Sequence, residues 1–182
     1  IAPLSSPALE GVSLRDSFLV YKNESVWTFD FVGGNAVFQA RKLFAEHGIV
    51  NTNAITRGID DVHLFVGADG DVYLTDGAQV QSVLDGRAQR TFYAAFTSNI
   101  TGNFAATTLA REKLGFILYP SPNATYCDTA LVYDFITQDI GFREMPDVRC
   151  AGEGAALTEV GNQTTVGKAT SPRGRMRFAR PR

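Results

Sequence analysis

Ser17-Phe18-Leu19-Val20-Tyr21, a polar turn Lys22-Asn23-Glu24, then Ser25-Val26-Trp27-Thr28-Phe29-Asp30-Phe31: this pair of apolar runs decides the reading of the whole chain. The pair recurs twice. Val62 to Val66 turns through Gly67-Ala68-Asp69-Gly70 into Asp71 to Asp76, and Gly115 to Tyr119 passes through Pro120-Ser121-Pro122-Asn123 toward Ala130 to Phe135. The runs are short, rich in β-branched and aromatic side chains, and separated by Gly, Asn, Asp or Pro, which are strand and hairpin signals. The second runs superimpose: Val26-Trp27 precedes Asp30 as Val72-Tyr73 precedes Asp76 and Ala130-Leu131 precedes Asp134.

Flanking segments supply two outer strands per unit: Glu10 to Leu14 and Ala36 to Lys42, Asn53 to Arg57 and Ala78 to Val83, Ala105 to Arg111 and Ile140 to Met145. Four antiparallel strands in a repeat of about 45 residues is the period of a β-propeller blade. Phe18 to Tyr21, Phe116 to Tyr119 and Leu131 to Tyr133 are apolar at every position. Successive strand residues point to opposite faces, so such runs are expected to bury both. Parallel α/β sheets also do this, but their crossovers need about a dozen residues, which these turns do not supply. The fold class expected is therefore all-β, part of a β-propeller of about three four-stranded antiparallel blades, with a β-sandwich as the competitor. One short inserted helix is expected over Leu84 to Phe96, where Ala88, Phe92, Ala95 and Phe96 recur at helical spacing behind Asp85.

The chain divides into an extended, proline-spaced linker (1–8), blades over 9–147 (about 9–43, 53–83 and 104–147), and an exposed connector with a basic C-terminal arm (148–182). The chain opens without an initiator Met or a signal-peptide pattern and ends without a clear helix cap or closing turn, so it reads as a segment of a longer polypeptide. Of its 182 residues, 45% are hydrophobic, which supports a buried core. No apolar stretch approaches the roughly 18–20 residues of a membrane-spanning helix. Net charge is −2, which excludes a basic nucleic-acid binder of the ordinary kind. The charge is uneven: from Gly167 onward there are six cations and no acids, leaving 11 cations against 19 acids, a balance of −8, before it.

Chemistry-bearing candidates read mostly as structure. His63 lies inside an apolar run and His47 before a glycine turn, neither with metal-ligand neighbours. Cys127 and Cys150 have no base or orienting group near them, and the sequence does not say whether they meet. Asp60-Asp61 and Asp69-Gly70-Asp71 fall where hairpin turns use Asp and Gly for local backbone bonding. The latter departs from a sialidase Asp-box, which would carry glycine where Asp71 stands. Gly33-Gly34-Asn35 and Gly167-Lys168-Ala169-Thr170 lack phosphate-loop spacing. Four Asn-x-Ser/Thr triplets, at Asn23, Asn99, Asn123 and Asn162, are acceptors only in a secretory pathway. No catalytic residue, metal site or cofactor is assigned. The contact residues singled out are Arg173, Arg175, Arg177, Arg180 and Arg182, for an acidic neighbour or for phosphate, beside the plainer reading of a solvated terminus or the start of a further repeat.

The series Asp16 to Trp27, Gly33-Gly34 with Phe38 and Arg41 to Phe44, Gly48-Ile49, Gly70 to Gly77, Ser82 to Arg87, and Tyr126 to Asp134 followed by Gly141-Phe142 resembles a family. It is similar to β-propeller virion proteins of tailed double-stranded-DNA bacteriophages, of the tail-hub, nozzle and DNA-stabilising type, over about residues 9 to 147. The resemblance implies a non-enzymatic structural component of the tail or portal-proximal machine, made in the host cytoplasm and located in the virion. It implies self-association into a ring around the genome path and contacts with portal, adaptor or tail proteins; non-specific contact with genomic DNA is an expectation of the basic arm. Two departures are the long loop at Pro120 to Thr129 and the count of three units, where closed propellers have four to eight blades. The alternatives are a carbohydrate-binding propeller stacking sugars on Trp27, Tyr93 or Tyr126, and a glycosidase-type enzyme using Asp30, Asp76 and Asp134. Trp27, in mid-strand, is expected to belong to the core.

Overall fold

A computed structural model describes residues 7–33, 37–84, 86–98, 103–122, 124–148 and 151. Twelve strands and one helix follow in order: β1 (Ala8–Leu14), β2 (Ser17–Lys22), β3 (Val26–Phe31), β4 (Phe38–Phe44), β5 (Ile55–Arg57), β6 (His63–Val66), β7 (Val72–Thr75), β8 (Val80–Ser82), α1 (Gly86–Ser98), β9 (Ala105–Leu109), β10 (Leu114–Tyr119), β11 (Cys127–Asp134) and β12 (Ile140–Val148). They form three four-stranded sheets, β1-β2-β3-β4, β5-β6-β7-β8 and β9-β10-β11-β12, each an antiparallel meander in chain order. The expected all-β class, the sheet number, the strand number per sheet and the single short helix are all present.

Turn chemistry sets the registers. Asp60 and Asp61 both adopt positive φ between β5 and β6, and Gly70 does so between β6 and β7, a conformation glycine adopts without steric cost. β4 and β12 run to Phe44 and Val148, beyond the expected Lys42 and Met145, whereas β8 covers only Val80–Ser82 of the expected Ala78 to Val83.

The second sheet is the middle of the assembly. On one face His63, Phe65, Tyr73 and Thr75 meet Leu14, Leu19, Tyr21 and Val26 of the first sheet. On the other face Leu64, Val66 and Val72 join Ile117, Tyr119, Leu131 and Tyr133 of the third sheet. All four residues of β6 are consequently buried. The seam between the second and third sheets is also bonded at its first strands: the Ala106 amide donates to the Asn53 carbonyl at 2.8 Å, and the Thr56 and Thr108 hydroxyls lie 3.1 Å apart. Helix α1 closes this seam at one end, setting Ala88 and Phe92 into the core, with the Phe92 ring edge-on to Tyr119 at 5.0 Å.

Two expectations are corrected. The Phe18 to Tyr21 run does not bury both faces: Leu19 and Tyr21 are buried while Phe18 is 47% exposed, because no described sheet packs on the outer face of the first sheet. Trp27 is not core. It lies opposite Val20 on that outer face, half-buried, with its indole N–H donating to Ser25 Oγ and the Lys42 ammonium 5.5 Å over its ring. Both-face burial does hold for β10 and most of β11, whose second face gathers Phe116, Leu118, Ala130 and Val132.

Candidate functional site

The outer face of the first sheet is the most distinctive surface among the described residues. Strand alternation places Phe18, Val20, Trp27, Phe29 and Phe31 on it, and the cross-strand pair Phe31–Phe38 extends it onto β4. Phe31 and Phe38 are 69% and 60% exposed and meet edge-on, with ring centroids 5.8 Å apart. The amphipathic rule for a terminal sheet would put polar side chains there. A row of aromatics instead marks a surface for contact with something apolar. Gly11 belongs to the same face: a Cβ there would collide with the Phe18 ring, so the glycine lets that ring lie across β1.

A concavity of about 520 Å³ lies between the β6–β7 turn and α1, lined by Asp69, Gly70, Asp71, Tyr73, Gln89, Arg90, Tyr93 and Ala94. Its carboxylates work on the turn. Asp69 accepts from the Tyr73 hydroxyl and from the Asp71 amide, and Asp71 accepts from the Val72 amide and, at 3.5 Å, from Gln89. Burial, followed by the Asp69 bond and the charges of Asp69 and Asp71, pushes the Tyr73 phenol up, so it stays a neutral donor. Tyr93 is half exposed at the rim.

The remaining candidates resolve individually. Asp76 and Asp134 each cap the turn after the third strand of their sheet, Asp76 accepting from the Ala78 and Gln79 amides and Asp134 from those of Ile136 and Thr137. The Gln79 and Ala78 bonds hold the Asp76 carboxyl below its ordinary value. Asp30, at the matching position, instead accepts from the Ser17 and Thr28 hydroxyls and lies 3.7 Å from Arg41, and these bonds likewise hold its carboxyl low. Each of the three aspartates makes its hydrogen bonds within its own sheet. Asp61 pairs with Arg15 across the first seam at 3.7 Å.

His63 is fully buried between the first two sheets, and the His47 ring packs tilted against Tyr73, with centroids 4.8 Å apart. Cys127 is buried with its thiol directed at the Asn103 carbonyl, and burial followed by the Asp128 charge pushes it up to about 11. Cys150 lies outside the described residues, as do Arg173, Arg175, Arg177, Arg180 and Arg182. No group of three or more metal-ligating side chains occurs among the described residues, and none of the described helices is long and apolar enough to cross a membrane.

Two features escape sequence reading. Lys22 is only 2% exposed despite standing in an apparent turn. Asp128 ties the long β10–β11 loop by accepting from both the amide and the hydroxyl of Ser121; burial opposes its charge, but these bonds leave its carboxyl below the ordinary value. A lone Asp beyond a Pro-Ser-Pro turn was the available signal for the second. No protein-family model and no curated protein matches the chain.

Proposed function

We propose that the chain contributes consecutive blades to a β-propeller and acts as a non-catalytic building block of a bacteriophage tail machine, assembling into a ring through contacts between subunits. The observation that carries the reading is the middle sheet, a four-stranded meander covered on both faces by two further four-stranded meanders. Blades are meanders stacked in this manner, with first strands gathered near one axis. The β5–β9 bonding is in keeping with that arrangement. The open aromatic face of the first sheet supports continuation of the stack beyond this chain's three sheets. The placement in a virion follows the sequence resemblance.

The test is imaging and mass measurement of the purified native assembly, with peptide mapping of gradient-purified tailed particles. A ring with a central channel, and peptides from this chain in the particles, are the expected results. A dispersed monomer whose sheets do not rotate about an axis overturns the propeller assembly, and absence from particles overturns the virion placement. A glycan-binding propeller is the second reading, favoured by Tyr93 at the rim of the polar concavity. Binding on a glycan array that disappears in Tyr93→Ala would select it.

A further inference from the structure

The two seams between sheets differ in chemistry. The seam joining the second and third sheets is closed by apolar side chains and by neutral hydrogen bonds from Thr56, Thr108, Asn51 and the Ala106 amide. Its tyrosines, Tyr119 and Tyr133, are raised by burial and stay neutral through the ordinary pH range. The seam joining the first and second sheets instead passes through an imidazole. His63 Nε2 lies 3.2 Å from the Ser13 carbonyl oxygen, and His63 Nδ1 lies 2.8 Å from the Tyr21 hydroxyl.

A carbonyl oxygen only accepts, so Nε2 carries the hydrogen and Nδ1 is the bare nitrogen that accepts from Tyr21. Both ring nitrogens are therefore satisfied in the neutral state, in a site with no exposed surface. A second proton would arrive at Nδ1 and face the Tyr21 oxygen, whose own hydrogen would have to turn away. Among the described residues no other acceptor lies within bonding distance of that hydroxyl. The surroundings do not compensate the new charge. Arg57 on β5 and Thr75 on β7 are the cross-strand neighbours of His63, and Arg57 is a like charge. The other charged or titratable groups near the seam are Lys22, buried next to Tyr21 and a further like charge, the solvent-exposed Arg15–Asp61 pair between the two turns, Asp76, which senses Arg15, and His47, packed on Tyr73. No carboxylate accepts from His63 among the described residues.

We infer that His63 is an acid-sensitive latch: protonation of its imidazole releases the first sheet from the second while the second and third stay joined. Desolvation, opposed by the Ser13 hydrogen bond and reinforced by the Arg57 charge, holds this imidazole below its ordinary value. The joined state favours the neutral ring, the released state takes up a proton, and the seam weakens as pH falls below the free value of about 6.5. Asp30, Asp76 and Asp128 are held low and remain charged across that window.

Trp27, the single tryptophan, sits on the outer face of the first sheet, so its emission reports the unfolding of that sheet once it has lost its contact with the second. Urea titrations of the full chain between pH 7.5 and 5.0, followed by Trp27 emission, are expected to show the opening constant rising up to about tenfold per pH unit below about 6.5. Proteolytic cuts should then fall between the first two sheets before the third is touched. His63→Gln should flatten this dependence and His47→Gln should keep it. Should His63→Gln fail to fold, nitrogen NMR of the unsubstituted chain supplies the test, with the Nε2–H tautomer in the native state and imidazolium appearing only together with the Trp27 change. A pH-independent opening, a dependence abolished by His47→Gln, or an imidazolium inside the native seam overturns the latch.

Discussion

Gly115 shows how little slack the second seam has. A Cβ there would lie 2.6 Å from Leu64 Cδ2 and 3.2 Å from the Phe135 ring. Gly115→Ala is expected to cost about 1–3 kcal/mol through overpacking, read from urea denaturation. Leu64 is the residue that would have to move, and Leu64→Ala should cost about 2–5 kcal/mol because the neighbouring sheets cannot collapse into the cavity. Cys127 gives a prediction of a different kind. With its thiol buried and raised to about 11, peptide-resolved alkylation at pH 8 should leave it unmodified in the native chain and modify it in urea. Rapid native labelling would contradict the packing around it.

At the scale of the element, the first sheet has one face in the core and one aromatic face open. Phe31→Ser with Phe38→Ser should change stability by no more than about 1.5 kcal/mol, roughly the value of the edge-on ring pair, and the proposed ring assembly requires that it lower self-association in sedimentation. Phe92→Ala, at the buried face of α1, should by contrast cost about 3–5 kcal/mol. These two outcomes separate a surface element from a core element of equal hydrophobicity. Sequence reading identified the three meanders because run length, turn residues and β-branched content are local properties, visible in Val72 to Asp76 or Gly115 to Tyr119 without knowledge of the neighbours. It misjudged Phe18 and Trp27 because an apolar side chain on a strand looks the same whether its facing sheet is present or absent. The site was less legible still. The His63–Tyr21–Ser13 chain joins residues from separate units, and no spacing rule relates them.

For the whole molecule, the carboxylates add a second pH range beneath that of the histidine. Asp30, Asp76 and Asp128 are lowered in the folded chain, so their contribution is present above the free carboxylate value of about 3.9 and is lost as pH falls through their folded values. Acid titration followed by circular dichroism should show sheet content surviving the Trp27 change and collapsing only in this lower range. A single coincident transition would place all three sheets in one cooperative unit.

The strictly sequential meanders also bear on synthesis. Within each sheet every strand after the first pairs with its immediate predecessor, so each sheet is complete once its own stretch has left the ribosome. The nascent polypeptide then adds finished slabs one after another, and the slab built from β1 to β4 leaves the ribosome with Phe18, Phe31 and Phe38 open to water.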